Sequence, residues 1–146
     1  MTAKEYLSQA YRLNRRINTK LSEMAAVREI TGMATAILSD MPRSATRNIR
    51  RIEDSIAKLM DMESELALDI ERLVNIRQEI AEVIEAIDNP IYSSLLSLRY
   101  LCFKEWDAIA NELQYDSKYI FKLHGRALQK VDTQRHQKIL ENPCGS

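Results

Sequence analysis

Between Pro42 and Pro90 the chain repeats apolar residues in alternating steps of four and three. The positions are Ile52, Ile56, Leu59, Glu63, Leu66, Ile70, Leu73, Arg77, Ile80, Ile84 and Ile87, nine of the eleven apolar. That spacing holds one stripe in register along a helix, and five such heptads read as a coiled-coil seam. The pattern predicts a helix over 45–88, about 65 Å long at a rise of 1.5 Å per residue. A lone helix carrying that stripe in water is not stable, so it needs a partner. Glu63 and Arg77 interrupt the stripe, either as register devices or as members of a wet edge.

The first segment supplies a partner. Ala3, Leu7, Ala10, Asn14, Ile17, Leu21, Met24, Arg28 and Thr31 repeat the same spacing less purely. A helix over 3–38 follows, with Gly32 weakening its end and Asn14 placed to fix register. The simplest arrangement is an antiparallel hairpin turning at 39–46; the alternative is that each seam pairs across a dimer. Met62, Ala67, Val74, Ile76 and Val83 are apolar positions outside the strict seam. They too need cover, which predicts a homo-oligomer.

After Pro90 the periods shorten. Residues 91–101 read as one helix with Tyr92, Leu95 and Leu98 inward. Residues 106–113 read as a second, with Trp106, Ile109, Ala110 and Leu113 inward. Gln114-Tyr115-Asp116 makes a turn, and Asp116 is a suitable N-cap for a third helix over 117–131 with Ile120, Leu123, Ala127, Leu128 and Val131 on one face. Two short helices, a three-residue turn and a longer helix form a helix-turn-helix layout.

Composition narrows the class. Glycine and proline number three each, where average usage gives roughly seventeen together, so a β-rich fold or a glycine-rich phosphate loop is excluded. Two cysteines, Cys102 and Cys144, make no disulfide framework, and no metal-ligand spacing joins them to His124 or His136. No apolar run is long enough for a membrane span. The opening Met-Thr-Ala-Lys-Glu-Tyr lacks the apolar core of a secretory signal, so a cytoplasmic location is expected. The formal net charge of zero is segregated: +5 over residues 1–50, −7 over 51–90 and +2 over 91–146. Seven of nine aromatic residues fall between 92 and 121. Aromatics fill small globular cores, whereas helical hairpins manage with aliphatic residues. The division expected is therefore a helical hairpin over 1–89, a small module over 90–134 and a flexible tail over 135–146.

The third helix of the module carries the chemistry. Lys118, Lys122, Arg126 and Lys130 recur every four residues, and no acidic residue occurs from 117 to 131. A basic stripe on an amphipathic helix is ordinarily a solvated face. Its place on the third helix of a tri-helical unit, without compensating acids, points to nucleic acid.

The residues that carry this reading also carry a resemblance. Leu96-Ser97-Leu98-Arg99-Tyr100, then Trp106-Asp107-Ala108-Ile109-Ala110-Asn111-Glu112-Leu113, then Ile120-Phe121-Lys122-Leu123-His124-Gly125-Arg126-Ala127-Leu128 resemble region 4 of sigma factors, the part that reads an upstream promoter element. Over roughly residues 5–131 the chain resembles a phage and prophage family of Gram-positive hosts. That family joins a long N-terminal helical region, a connection like Met41-Pro42 and a sigma-like helix-turn-helix, and is similar to late transcription regulators of the RinA and ArpU type. The resemblance implies that Ser117, Lys118, Phe121 and Lys122 face bases in the major groove and that Arg126 lies toward phosphate. Lys130, farther along the same row, is read as a phosphate contact. Gln114 stands where sigma factors usually have glycine and Phe121 where they usually have arginine, so the implied likeness is of fold more than of target sequence.

Arg43, Arg47, Arg50 and Arg51 cluster at the predicted hairpin tip, with no acid from 41 to 52. Three of them fall in the first turns of a helix, where the macrodipole disfavours cations. They mark either a secondary anionic contact or an ordinary solvated tip. Gly125 inside a helix costs about 1 kcal/mol, which close approach of another helix or of a DNA backbone would explain. His124 reads as a half-buried helix residue and Trp106 as core. The acidic residues of 53–88 are assigned to solvated outer faces. No nucleophile–base motif, metal spacing or nucleotide loop supports an enzyme.

The chain is therefore read as all-α and non-enzymatic, without cofactor, metal, membrane or small-molecule substrate. The expected function is a phage-type transcription regulator that binds duplex DNA, with the coiled coil mediating self-association or contact with RNA polymerase. The alternative is a helical adaptor that binds a protein such as RNA polymerase without touching DNA.

Overall fold

The computed structural model describes residues 1–38 and 45–141, with side chains described outside 34–38, 45–46 and 48. Residues 39–44 of the turn expected at 39–46, with Met41-Pro42 and Arg43, and the segment 142–146 with Cys144 lie outside the described residues, while residues 45–46 already belong to a helix. Every regular element among the described residues is helical: α1 (Ala3–Leu7), α2 (Gln9–Leu38), α3 (Ala45–Glu85), α4 (Pro90–Leu96), a π-helical turn (Ser97–Leu101), α5 (Trp106–Leu113) and α6 (Ser117–Glu141). No helix among them is long and apolar enough to cross a membrane.

Local chemistry sets the helix ends. Thr2 and Glu5 form a reciprocal capping box: Thr2 Oγ1 accepts from the Glu5 amide at 3.2 Å, and Glu5 Oε2 accepts from the Thr2 amide at 3.0 Å. The gap between α1 and α2 is the single residue Ser8. Its amide still donates to the Lys4 carbonyl at 2.9 Å, and the Arg12 amide to the Ser8 carbonyl at 3.0 Å. The helix expected over 3–38 is thus present with one irregular residue. At the next joint Asn89 caps α4, its Oδ1 accepting from the Ile91 amide at 2.9 Å, and Pro90 sits first in the helix, where a missing amide costs nothing. The single helix expected over 91–101 instead changes to π-helical bonding, closed by the Cys102 amide donating to the Ser97 carbonyl at 2.9 Å.

Contacts divide the chain into two compact units, Met1–Arg12 with Leu73–Ser146, and Leu13–Arg72. This differs from a joint at residue 90. In the first unit Ala3, Leu7 and Ala10 are buried in one cluster with Ile80, Ile84, Ile87, Leu96, Tyr100, Ala127 and Val131. The chain's first turns and the last turns of α3 therefore belong to the C-terminal core. Burying side chains of this size contributes roughly 1.5–3 kcal/mol each for the larger aliphatics. A second cluster joins Leu95, Ile109, Ala110, Ile120 and Leu123, with Tyr92, Leu98, Trp106 and Leu113 at its edge. Arg77, one of the two seam interruptions, is half-buried here. Its Nη1 donates to the Leu101 carbonyl at 2.7 Å, and its guanidinium lies 5.6 Å from the Phe103 ring centroid. It supports the chain after the π-helical turn, where Phe103 takes φ 57°. Helix α6 runs ten residues past the expected end at 131, through Glu141, so 135–141 are helical, not part of a flexible tail. Gln134 Nε2 donates to the Ala86 carbonyl at 2.6 Å, and Arg135 lies over the Tyr6 ring at 4.5 Å.

In the second unit the pairings of α2 with α3 run in opposite chain directions. Lys20 meets Asp69 at 2.6 Å and Arg28 meets Glu63 at 2.9 Å. The seam is rotated from the expected one. Ile17, Met24 and Leu66 are buried as the four-three pattern predicts, but Leu21, Ile56 and Ile70 are 45%, 45% and 44% exposed. Lys20 and Val27, and Ser55, Met62 and Asp69, take the inward places. Asp69 is 2% exposed, which corrects its assignment to a solvated outer face. Lys20 Nζ, Arg16 Nε and Arg72 Nη1 surround it at 2.6, 3.4 and 3.6 Å. The Lys20 hydrogen bond first, and the two arginines with it, hold the Asp69 carboxyl below its usual range against the opposing effect of burial. A rotated seam follows from this cluster, because a buried carboxylate must sit where cations reach it. Asn14 is half-buried, and Glu63 lies at an exposed edge with Arg28.

Candidate nucleic-acid interface

The surface is built by α5, the turn after it and the first half of α6. The α5 boundaries match the expected 106–113. Gln114 follows at φ 61° and ψ 42°, in the left-handed region, and its amide bonds to the Ala110 carbonyl. The Tyr115 amide bonds to the same carbonyl at 3.0 Å, which closes the helix and redirects the chain. Gln114 thus occupies a conformation that glycine adopts more easily. The Asp116 carbonyl accepts from the Ile120 amide at 3.0 Å and begins the α6 ladder. Ile120, Leu123, Ala127 and Val131 are buried on the inner face of α6.

Six sequence-selected residues lie on the remaining surface of this helix. Ser117, Lys118, Phe121, Lys122, Arg126 and Lys130 are all exposed. None of the four cations has an ion pair among the described residues. A four-residue step overshoots a helical turn by about 40°, so the row drifts by roughly 120° from Lys118 to Lys130. Lys118 and Lys122 point away from the buried face, while Arg126 and Lys130 move progressively to one flank. Gly125 shares the outward face with Lys118 and Lys122 and is exposed; a Cβ there would meet nothing within 4 Å. No neighbouring helix among the described residues accounts for this glycine.

Aromatic residues border the cations. Phe121 is 52% exposed and its ring centroid lies 5.1 Å from that of Trp106. Trp106 is half-buried at the edge of the core, not within it, with Arg99 over its ring at 4.4 Å and the His124 ring edge-on at 4.7 Å. Tyr115 in the turn and Tyr119 on the first turn of α6 make an exposed edge-on pair 5.2 Å apart. Charge spacing does not point to this pair, and helical spacing does not either, because Tyr115 stands in the turn before α6. His124 is buried, against the half-buried position expected for it, and its Nε2 shares a 2.6 Å hydrogen bond with the Tyr100 hydroxyl. Burial pushes the imidazole down to about 4 and the phenol up to about 12, so both are neutral near pH 7.

Arg47, Arg50 and Arg51 are exposed on the first turns of α3 and belong to the other compact unit. Their expected companion Arg43 is outside the described residues. No group of three or more His, Cys, Asp or Glu side chains suited to a metal occurs among the described residues. No protein-family profile, curated protein or solved structure matches this chain.

Proposed function

We propose that this chain is a duplex-DNA-binding transcription regulator of phage or prophage type. In this reading α5, the Gln114 turn and α6 form a helix-turn-helix, and residues 117–131 enter the major groove. Ser117, Lys118, Phe121 and Lys122 face base edges, because the first turns of a recognition helix reach deepest. Arg126 and Lys130 take phosphates on the flank to which the row drifts. The α2–α3 pair acts as a coiled-coil hairpin for self-association or contact with RNA polymerase. Arg47, Arg50 and Arg51 offer a secondary anionic contact.

The observation that carries the proposal is the row of four exposed cations, none with an ion pair among the described residues, on the helix that follows a tight left-handed turn. The test is retention of the full-length chain on random duplex DNA at low salt. Binding that falls as salt rises supports the reading. A chain that ignores duplex at low salt overturns it. The exposed rings of Tyr115, Tyr119 and Phe121 then favour the second reading, an adaptor that docks a protein through the same face.

A further inference from the structure

We infer that α3 pairs with α3 of a second copy of this chain, antiparallel, along a face that one copy leaves bare. Within its own chain α3 turns Ile52, Ser55, Leu59, Met62, Leu66 and Asp69 inward. Roughly 100° around the helix from that seam lies another strip. Its large members Ile49, Ile56, Met60 and Ile70 are 46%, 45%, 64% and 44% exposed, and Ala67 is exposed among them. The steps between these five residues are seven, four, seven and three, which is again heptad spacing. Glu53 and Glu63 interrupt the strip, and Glu63 is neutralised by Arg28 at its border. Scattered apolar side chains on a surface need no explanation, but an aligned strip along one helix does.

The charges beside the strip indicate what covers it. On the flank away from the intrachain seam stand Arg50, Ala57, Ser64 and Glu71, one heptad apart. Arg50 and Glu71 are both exposed and make no ion pair within the described chain. Two parallel copies would set Arg50 against Arg50 and Glu71 against Glu71. Two antiparallel copies with Met60 beside the twofold axis set Arg50 against Glu71 at both ends. Ala57 then falls opposite Ser64, and these small residues allow close approach of the helices. The same register lays Ile56 against Ala67. It also sets Glu53 against Ile70 and Glu63 against Met60 at the strip's interruptions, so it is the flanking row of Arg50, Ala57, Ser64 and Glu71 that is complementary to its own reverse, the property that an isologous dimer requires. This pairing gives the self-association proposed above a surface and an orientation, and it holds whether or not α6 binds DNA.

Sedimentation of the full chain without DNA tests it, with circular dichroism as a check on folding. The wild type is expected to be a dimer at micromolar concentration. Ile56→Lys combined with Met60→Lys should give a monomer of unchanged helicity. Arg50→Glu and Glu71→Arg should each weaken the dimer about tenfold, because symmetry turns two attractive pairs into two repulsive ones. The two reversals together should restore wild-type affinity. A monomeric wild type, a dimer that survives the lysine pair, or a double reversal no tighter than the single ones overturns the pairing.

Discussion

Gln114 and Gly125 each hold a backbone position that their side chain does not favour. Gln114 takes φ 61°, where a non-glycine residue costs roughly 1–2 kcal/mol. Gly125 stands inside α6, where glycine costs about 1 kcal/mol relative to alanine, and the space above it is open. Gln114→Gly and Gly125→Ala should therefore each raise stability, the second by about 1 kcal/mol, read as a later urea midpoint. An unchanged or earlier midpoint for Gly125→Ala would mean that the glycine meets a constraint the fold does not display. His124 gives a different signature. Its folded-state pKa of about 4 lies below the ordinary 6.5, so the unfolded chain takes up the proton first as pH falls. The stability it contributes is complete above pH 6.5 and is lost between 6.5 and about 4, up to about 3 kcal/mol. Urea midpoints at pH 7 and 5 should separate for the wild type and converge for His124→Gln.

At the level of helices, α5 was legible to the residue, because the helical spacing of Trp106, Ile109, Ala110 and Leu113 and the Gln114-Tyr115-Asp116 turn delimit it. The face that α3 turns inward was not. A four-three repeat reports which positions are apolar, and α3 has apolar residues on two faces; only the partner decides which is covered. Asp69 decides it here, since Lys20, Arg16 and Arg72 converge on a carboxylate that nothing in the local sequence distinguishes from its acidic neighbours. The exposed positions of the strict repeat, Ile56 and Ile70, become the second face. The basic row was legible because it needs only spacing, and its winding follows from helix geometry; the tyrosine pair was not, because Tyr115 stands in the turn before α6. Removing one partner of a buried ion pair leaves the other uncompensated, so Lys20→Met should cost on the order of 2 kcal/mol and Asp69→Leu distinctly less. Thermal melts would rank them, and the opposite order would deny Asp69 its role in the seam. Along α6, Lys118→Ala should change which duplex sequence is preferred, while Lys130→Ala should weaken all duplexes alike. Anisotropy titrations on a preferred and a scrambled duplex would show equal effects from both substitutions if the row did not enter a groove from its N-terminal end.

For the whole molecule, salt dependence joins the two proposals in one measurement. Each phosphate neutralised releases condensed counterions and contributes about −0.9 to the slope of log affinity against log salt. Lys118, Lys122, Arg126 and Lys130 would together give a slope near −3.6 for one module, or about 100-fold weaker binding between roughly 50 and 200 mM salt. An antiparallel α3–α3 dimer carries two such modules. If both engage one duplex, the slope doubles and the same salt step weakens binding about 10,000-fold. The chain with Ile56→Lys and Met60→Lys keeps every cation of α6 but loses the second module. Its slope should fall to about half the wild-type value, and its affinity at low salt should fall with it. Equal slopes for the two proteins would show that only one module binds at a time. A wild-type slope near zero would mean that the four cations meet no phosphate, and the DNA-binding reading would fall while the α3 pairing could still stand.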